Sequence, residues 1–376
     1  NRSSISFRVD TTLPNVDITT PSSNNTNSSD TSLDILITQT DSGVGISQCW
    51  YTNDTYLINR SFGCGTNLTN ITWSDGKHNL TVYGNDTLGN YGFETVSFTI
   101  DTGFPSLNIT SPGVNNSNTT DTSLDILFTF SDTIGVVESC WYNNDTYLIN
   151  RSLVCGTNLT NITWSEGLHN ITIFVNDSSN NVNRSSISFR VDTTAPTIDI
   201  TTPSSNNTNT TDTGLDILIT QTDSGVGISQ CWYTNDTYLI NRSFGCGTNL
   251  TNITWSDGKH NLTVYGNDTL GNYGFETVSF TIDTGFPSLN ITSPGVNNSN
   301  TTDTSLDILF TFSDTIGVVE SCWYNNDTYL INRSLVCGTN LTNITWSEGN
   351  HNLTIFVNDS SNNVNRSSIS FRVDTT

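Results

Sequence analysis

What this sequence lacks excludes most functions before any motif is read. Lysine occurs only at Lys77 and Lys259, methionine is absent, and charged residues are 12% of the 376-residue chain, about half the usual share of roughly 25%. With a net charge of −23, the chain has nothing to neutralise a row of phosphates or to dock on an anionic leaflet, so nucleic acid and membrane surfaces are excluded as partners. No apolar run approaches the eighteen or so residues a spanning helix needs, so no membrane insertion is expected within this segment. The first residues are not a signal peptide, and elements for export or anchoring are expected outside the sequence. Hydrophobic residues are 34%, enough only for small cores. Helical periodicity is also missing, because apolar residues do not recur at three- and four-residue spacing.

What the chain does have is repetition. An Asp-Thr step shortly before a proline recurs every 91 residues, at Asp10, Asp101, Asp192 and Asp283, and Asp374 opens it once more. Units two apart are near copies: residues 1–182 and 183–364 differ at eight positions, among them Leu13 against Ala195 and Leu168 against Asn350. The dodecapeptide NRSSISFRVDTT appears at 1–12, 183–194 and 365–376. These boundaries predict a closing strand of a preceding repeat at 1–12, then four repeats at 13–103, 104–194, 195–285 and 286–376. The polypeptide is expected to continue on both sides with the same 182-residue period. Four copies of every candidate group speak against catalysis, since a preorganised site has no reason to recur at identical spacing in each unit.

Within a unit the pattern alternates with period two. Leu33, Ile35 and Ile37 alternate with Asp34, Leu36 and Thr38; His78, Leu80 and Val82 with Asn79, Thr81 and Tyr83; and Val96, Phe98 and Ile100 with Ser97 and Thr99. Such runs, bounded by Gly, Pro, Asn and Asp, predict short half-buried strands, about seven per unit, and hence a β-sandwich. Asp86–Asn90 and Asp177–Asn181 separate two alternating runs each and predict antiparallel hairpins. The link from one unit to the next is too short for a flexible tether, which predicts domains set end to end as a stiff rod.

Three stretches carry a family likeness: Pro14 with Ile18 and Pro21, the run Ser74–Val82, and the turn Asp86–Asn90 leading to Phe98–Thr102. Through them the whole chain resembles the immunoglobulin-like repeats of bacterial and archaeal surface proteins, the archaeal type being favoured by the repeat style. The resemblance implies an all-β fold of tandem immunoglobulin-like sandwiches. It does not extend to the inter-sheet disulfide of antibody domains, because the cysteine spacing here is local.

The cysteines fall in four pairs, Cys49 with Cys64, Cys140 with Cys155, Cys231 with Cys246 and Cys322 with Cys337, each fifteen apart and within one unit. Even, intra-unit pairing predicts disulfides and an oxidising, extracellular compartment. A structural zinc site would need four ligands, and no C-x-x-C occurs, so no metal is expected on these residues.

Asn-x-Ser/Thr sequons number 37. Besides Asn1, the acceptors are Asn24, Asn27, Asn53, Asn59, Asn67, Asn70, Asn79, Asn85, Asn108, Asn115, Asn118, Asn144, Asn150, Asn158, Asn161, Asn170, Asn176 and Asn183 in the first half. The second half has Asn206, Asn209, Asn235, Asn241, Asn249, Asn252, Asn261, Asn267, Asn290, Asn297, Asn300, Asn326, Asn332, Asn340, Asn343, Asn352, Asn358 and Asn365. Asn-Ile-Thr and Asn-Leu-Thr triplets, as at Asn70, Asn79, Asn108, Asn161 and Asn170, would on a strand turn Asn and Thr outward and the aliphatic residue inward. A coat of N-glycans, the one covalent addition expected, would then supply the solubility that charge does not.

The tryptophans, Trp50 and Trp73 with their copies Trp141, Trp164, Trp232, Trp255, Trp323 and Trp346, read as core or disulfide-packing residues. The one histidine per unit, His78, His169, His260 or His351, reads as a hydrogen-bonded structural group. Asp10, Asp41 and Asp86 stand near strand ends. Calcium at the domain junctions is one reading of them, but they are isolated and not arranged as Asp-x-Asp, so turn capping is the favoured one. No cofactor is expected.

Together these features predict a structural segment of a surface filament or stalk, outside the cell, with neighbouring copies of the same repeat or chain as partners. The alternatives are an adhesin rod that meets a host or neighbouring-cell surface, and a surface-layer protein. A glycan-processing enzyme would need paired carboxylates in a cleft, and the recurring acids read as turn residues.

Overall fold

A computed structural model describes residues 2–54, 58–145, 149–236, 240–327 and 331–376. It falls into two compact units, Asn1–Asp192 and Thr193–Thr376, each holding two seven-stranded β-sandwiches. All regular structure among the described residues is strand, and the chain is an all-β array of four tandem domains.

In the first repeat the strands are β1 (Asn15–Thr20), β2 (Thr26–Ser28), β3 (Leu36–Thr40), β4 (Ile46–Asn53), β5 (Arg60–Phe62), β6 (Gly76–Asp86) and β7 (Tyr91–Ile100). One sheet is the antiparallel pair β1–β3, and the other runs β2-β7-β6-β4-β5, with only β2 and β7 parallel. The other three repeats have the same order. The expected hairpin is present: β6 and β7 pair antiparallel from Gly76 opposite Ile100 to Asn85 opposite Tyr91. Its turn closes on one carboxylate, because Asp86 Oδ1 accepts from the amides of Leu88 at 2.8 Å and Asn90 at 2.9 Å.

The alternation read from the sequence becomes the core. Val16, Ile18 and Ile37 from the small sheet face Leu80, Val82, Val96, Phe98 and Ile100 from the large one. An isolated bridge between Ile35 and Leu68 closes the gap at the edge, where Trp73 inserts. Its indole meets the fully buried Phe98 edge-on, centroids 4.9 Å apart at 88°, and its Nε1 donates to the Leu33 carbonyl at 2.9 Å. At Gly92 of β7 a β-carbon would lie 1.9 Å from the Pro14 carbonyl oxygen, so in the first repeat the chain entering β1 lies against a residue without a side chain.

One expectation is narrowed here. Trp50 is no core residue: it is half-buried and stacks on Tyr83 at 5.3 Å, planes 6° apart, away from the residues that form the core cluster. It lies on β4 next to Cys49, so the disulfide-side reading is the one that survives. The dodecapeptide of residues 1–12 recurs at 183–194, where its Ile187 and Phe189 are buried in the closing strand Val182–Val191 of the second repeat.

Candidate functional site

All eight cysteines are disulfide-bonded, Cys49 to Cys64, Cys140 to Cys155, Cys231 to Cys246 and Cys322 to Cys337, each pair with its Cα atoms 5.3 Å apart. The geometry follows from the sheet. β5 returns along β4 with Phe62 opposite Cys49, and the next turn brings Cys64 back over it. Gln39 of β3 receives the Gly65 amide at 3.0 Å and ties the stapled loop to the small sheet.

The four staples read alike in the sequence, but the structure divides them into two kinds. The first cysteine of each pair, Cys49, Cys140, Cys231 or Cys322, is buried on its strand. The second is exposed at Cys64 and Cys246 and only half-buried at Cys155 and Cys337. Glycine precedes the second cysteine in the odd repeats, at Gly63 and Gly245, whereas Val154 and Val336 precede it in the even ones. A valine adds bulk beside Cys155 and Cys337 that glycine cannot. Beside each staple in the odd repeats lies a depression of about 650 Å³, lined by residues that include Cys49, Trp50, Asn59 and Cys64, or about 670 Å³, with Cys231, Trp232, Asn241 and Cys246.

The histidines are structural, as expected. His78 is buried against Trp73 and Phe98, with Nδ1 3.1 Å from Asp54 Oδ2 and Nε2 2.6 Å from the Ser74 carbonyl. Asp54 also accepts the Asn79 amide at 3.1 Å, so one carboxylate caps the start of β6 and orients the ring. His169, His260 and His351 repeat the pair with Asp145, Asp236 and Asp327.

The structure redistributes the sequons. Asn79, Asn108 and Asn170 lie on strands, but Asn70 and Asn161 sit in loops with φ of 62° and 60°, which corrects their strand assignment. The face rule holds on β6, where Leu80 is buried among core residues and Asn79 is half-buried. The sequon threonine, however, is covered: Thr81 is 2% exposed and its hydroxyl meets that of Thr95 at 2.8 Å. A central strand is flanked on both sides, and Thr52 and Thr95 on the neighbours roof over Thr81 on the face that alternation alone reads as open. Asn183 and Asn365 have already committed their side-chain nitrogens, which donate to the Pro105 and Pro287 carbonyls at 2.7 Å.

Sequence reasoning also understated the aspartates at the junctions. Asp101 ends the closing strand of the first repeat and is fully buried where the second repeat meets it. Asp177, equally buried, opens the hairpin turn of the second repeat and accepts from the amides of Ser179 and Asn181, both at 2.8 Å. Asn181 Nδ2 then bridges the two repeats, donating to Asp177 Oδ2 and to the Asp101 carbonyl, both at 2.8 Å. Asn363 does the same between Asp359 and Asp283 in the second unit. Replacing Asn181 by alanine is expected to cost about 1–3 kcal/mol, the usual penalty for leaving buried partners unpaired. Amide exchange over the 101–105 link is the measurement, and unchanged protection would rule out the bridge as the fastening.

Asp132 stands nearby, with Oδ1 accepting from the Ile134 and Gly135 amides at 3.1 and 3.3 Å. One oxygen each from Asp101, Asp132 and Asp177 lies within 4.8 Å of the others, and Asp283, Asp314 and Asp359 repeat the cluster. Aspartates that are isolated along the sequence are therefore not isolated in space. Burial pushes the Asp101 carboxyl above the ordinary carboxylate value, against the Gly103 amide, and the charges of Asp132, Asp177 and Asp75 add to the rise. At the first repeat the balance reverses. Hydrogen bonds from the Thr12 hydroxyl, the Thr12 amide and the Val44 amide hold Asp10 below the ordinary value.

The profile of the bacterial Ig-like domain family, group 3, matches residues 158–227, the end of the second repeat and the start of the third. No curated protein matches the chain. Among solved structures, the chain is similar to extracellular cadherin domains 3–6 of protocadherin gamma B2 at 14% identity, covering 94% of this chain and 99% of that one with a TM-score of 0.38. It is also similar to a tetra-tandem repeat in the extending region of a large adhesion protein, at 16% identity, 97% and 100% coverage and a TM-score of 0.34. A third similar structure is the N-terminal four Ig domains of Dscam1, at 11% identity, 97% and 100% coverage and a TM-score of 0.29.

Proposed function

We propose that this chain is the structural repeat segment of an extracellular, N-glycosylated, disulfide-stapled filament or stalk, of the archaeal type of immunoglobulin-like surface protein, and that it has no enzymatic role. The observation that carries the reading is that all four repeats are built on one plan. Each has its own core and its own staple, and within each unit one repeat is fastened to the next by an asparagine at the link. Such an array adds length without adding chemistry, and the domains at 13–103, 104–194, 195–285 and 286–376 are its building blocks. Its partners are neighbouring copies of the same repeat or chain. Among the described residues no helix is long and apolar enough to cross a membrane.

Imaging of native material by negative stain is expected to show filaments, and isolated compact particles would overturn the reading. The glycan coat has its own test. Intact mass of protein from its native source is expected well above the 41.1 kDa of the polypeptide, and a value close to 41.1 kDa would remove the coat. Peptide mapping is expected to find Asn79 and Asn170 modified, and Asn183 and Asn365 the least occupied, because their acceptor nitrogens are engaged inside the fold.

The adhesin reading draws on one observation, the depression beside Trp50 and its copy beside Trp232. Cell-binding that survives Trp50→Ala and Trp232→Ala together would leave it without support.

A further inference from the structure

The junction cluster is built as a receptor for something positive. Three carboxylates bring oxygens within 4.8 Å of one another, and among the described residues no Lys or Arg is ion-paired to any of them. Like charges this close repel unless a proton or a cation sits between them. Turn capping explains only half of the oxygens. Asp101 Oδ1 accepts the Gly103 amide at 2.9 Å and Asp132 Oδ1 accepts its own loop, but Oδ2 of Asp101 and Oδ2 of Asp132 are buried without any hydrogen-bond partner.

The orphaned Asp101 oxygen is the stronger sign, because its residue is wholly buried and the oxygen points across the junction into the second repeat. A β-carbon at Gly135 would lie 2.7 Å from it, 3.3 Å from Ser178 Oγ and 3.6 Å from the Asp177 β-carbon. The second unit reproduces every part of this. Asp283 Oδ2 and Asp314 Oδ2 are buried and unpartnered, and a β-carbon at Gly317 would lie 2.6 Å from the former. A buried polar atom left without a partner costs about 1–3 kcal/mol.

The first repeat shows what the alternative looks like. There the loop reads Asp41-Ser-Gly-Val-Gly, and Val44 donates its amide to Asp10 Oδ2 at 2.6 Å, while Asp41 Oδ2 takes the Gly45 amide at 2.6 Å. In the second repeat the loop reads Asp132-Thr-Ile-Gly-Val, with the glycine moved by one place, and the corresponding amide, Gly135, turns to Asp132. The same three aspartate positions thus have their outer carboxylate filled by the backbone in one loop and left open in the other.

We propose that the junctions inside each unit, at Asp101, Asp132 and Asp177 and at Asp283, Asp314 and Asp359, each bind one divalent cation of the hard, oxygen-seeking class, calcium being the ion the donors fit. All the donors are carboxylate oxygens with no nitrogen or sulfur among them, which selects calcium or magnesium over zinc or copper. Two of the three carboxylates come from loops of one repeat and the third from the end of the repeat before it. The ion therefore bonds two domains at once and stiffens the link that Asn181 fastens. Affinity is expected in the range of extracellular calcium modules, about 10⁻⁴–10⁻³ M.

Calcium titration by calorimetry of the full disulfide-intact chain, stripped with chelator, is expected to give two ions per chain. Asp101→Asn should leave one, and Asp101→Asn with Asp283→Asn should leave none and abolish the rise in unfolding temperature that calcium produces. Asp10→Asn should change nothing. Asparagine matches aspartate in shape, and a second pair keeps the test decisive if it misfolds: Gly135→Ala with Gly317→Ala retains every carboxylate, sets a methyl against the orphaned oxygens and is expected to weaken binding about tenfold or more. Wild-type protein that takes up no calcium at millimolar concentration would overturn the proposal. So would calcium uptake that either folded double variant leaves intact.

Discussion

Replacing Phe98 by alanine is expected to unfold the first repeat while its neighbours stay folded. The ring is fully buried at the centre of the sandwich, edge-on to Trp73 and 5.5 Å from His78, and its strand pairs with β6 on one side and β2 on the other. Truncating a buried phenylalanine costs about 3–5 kcal/mol, because the cavity persists when surrounding strands cannot close on it. A small domain has a total of only about 5–15 kcal/mol, and this core, of eleven buried residues, belongs at the low end. Amide exchange read by peptide is the measurement. Loss of protection in β6 and β7 with protection kept in Gly167–Asp177 and Val182–Val191 is the expected pattern. Retained protection in β6 would show that the core does not depend on this ring.

Removing one staple is the second large effect. A Cys49→Ser, Cys64→Ser variant is expected to lose about 3 kcal/mol in the first repeat, the chain-entropy value for a loop of fifteen residues. For a domain of this size that corresponds to a fall of roughly 12–24 °C in its unfolding midpoint. The loop has little else to hold it, since β5 has only three residues and pairs on one side alone, with β4. Reduction of all four staples should lower every repeat by a similar amount, because the bridges at Cys155 and Cys337 close loops of the same length as those at Cys64 and Cys246. A midpoint that moves by less than a few degrees would mean that the stapled loop is ordered by its own packing, and thiol labelling of unreduced protein beyond a trace would deny the staple itself.

Much of this fold was legible because its signals are local. Alternation of period two needs only neighbours in sequence, and the runs at Ile35–Ile37, His78–Val82 and Val96–Ile100 alternate inside and outside much as they read. Asp86 and Asp177 sit where a tight hairpin wants a side chain that bonds its own backbone, and both do so. What failed was inference about surroundings. Thr81 reads as outward, and it is outward, but two flanking strands cover it; exposure on a central strand is decided by side chains far away in sequence. Trp50 reads as either core or disulfide-side, and only its partner across the strands, Tyr83, which lies outside the core, decides for the second.

By itself the sequence determined the repeat, the strand pattern, the pairing of the cysteines and the scarcity of basic residues, all properties that follow from composition and short-range spacing. The tertiary structure alone decided two things. One is whether the sequon threonine Thr81 is open to solvent: its outward face is roofed over by Thr52 and Thr95 on the flanking strands, which lie far away in sequence. Likewise Asp101, Asp132 and Asp177, 31 and 76 residues apart along the chain from the first of them, meet only because the end of one sandwich is pressed against two loops of the next. Proximity of charges through folded space has no signature in local spacing, which is why Asp10, Asp41 and Asp86, the same positions one repeat earlier, read from the sequence as separate turn caps.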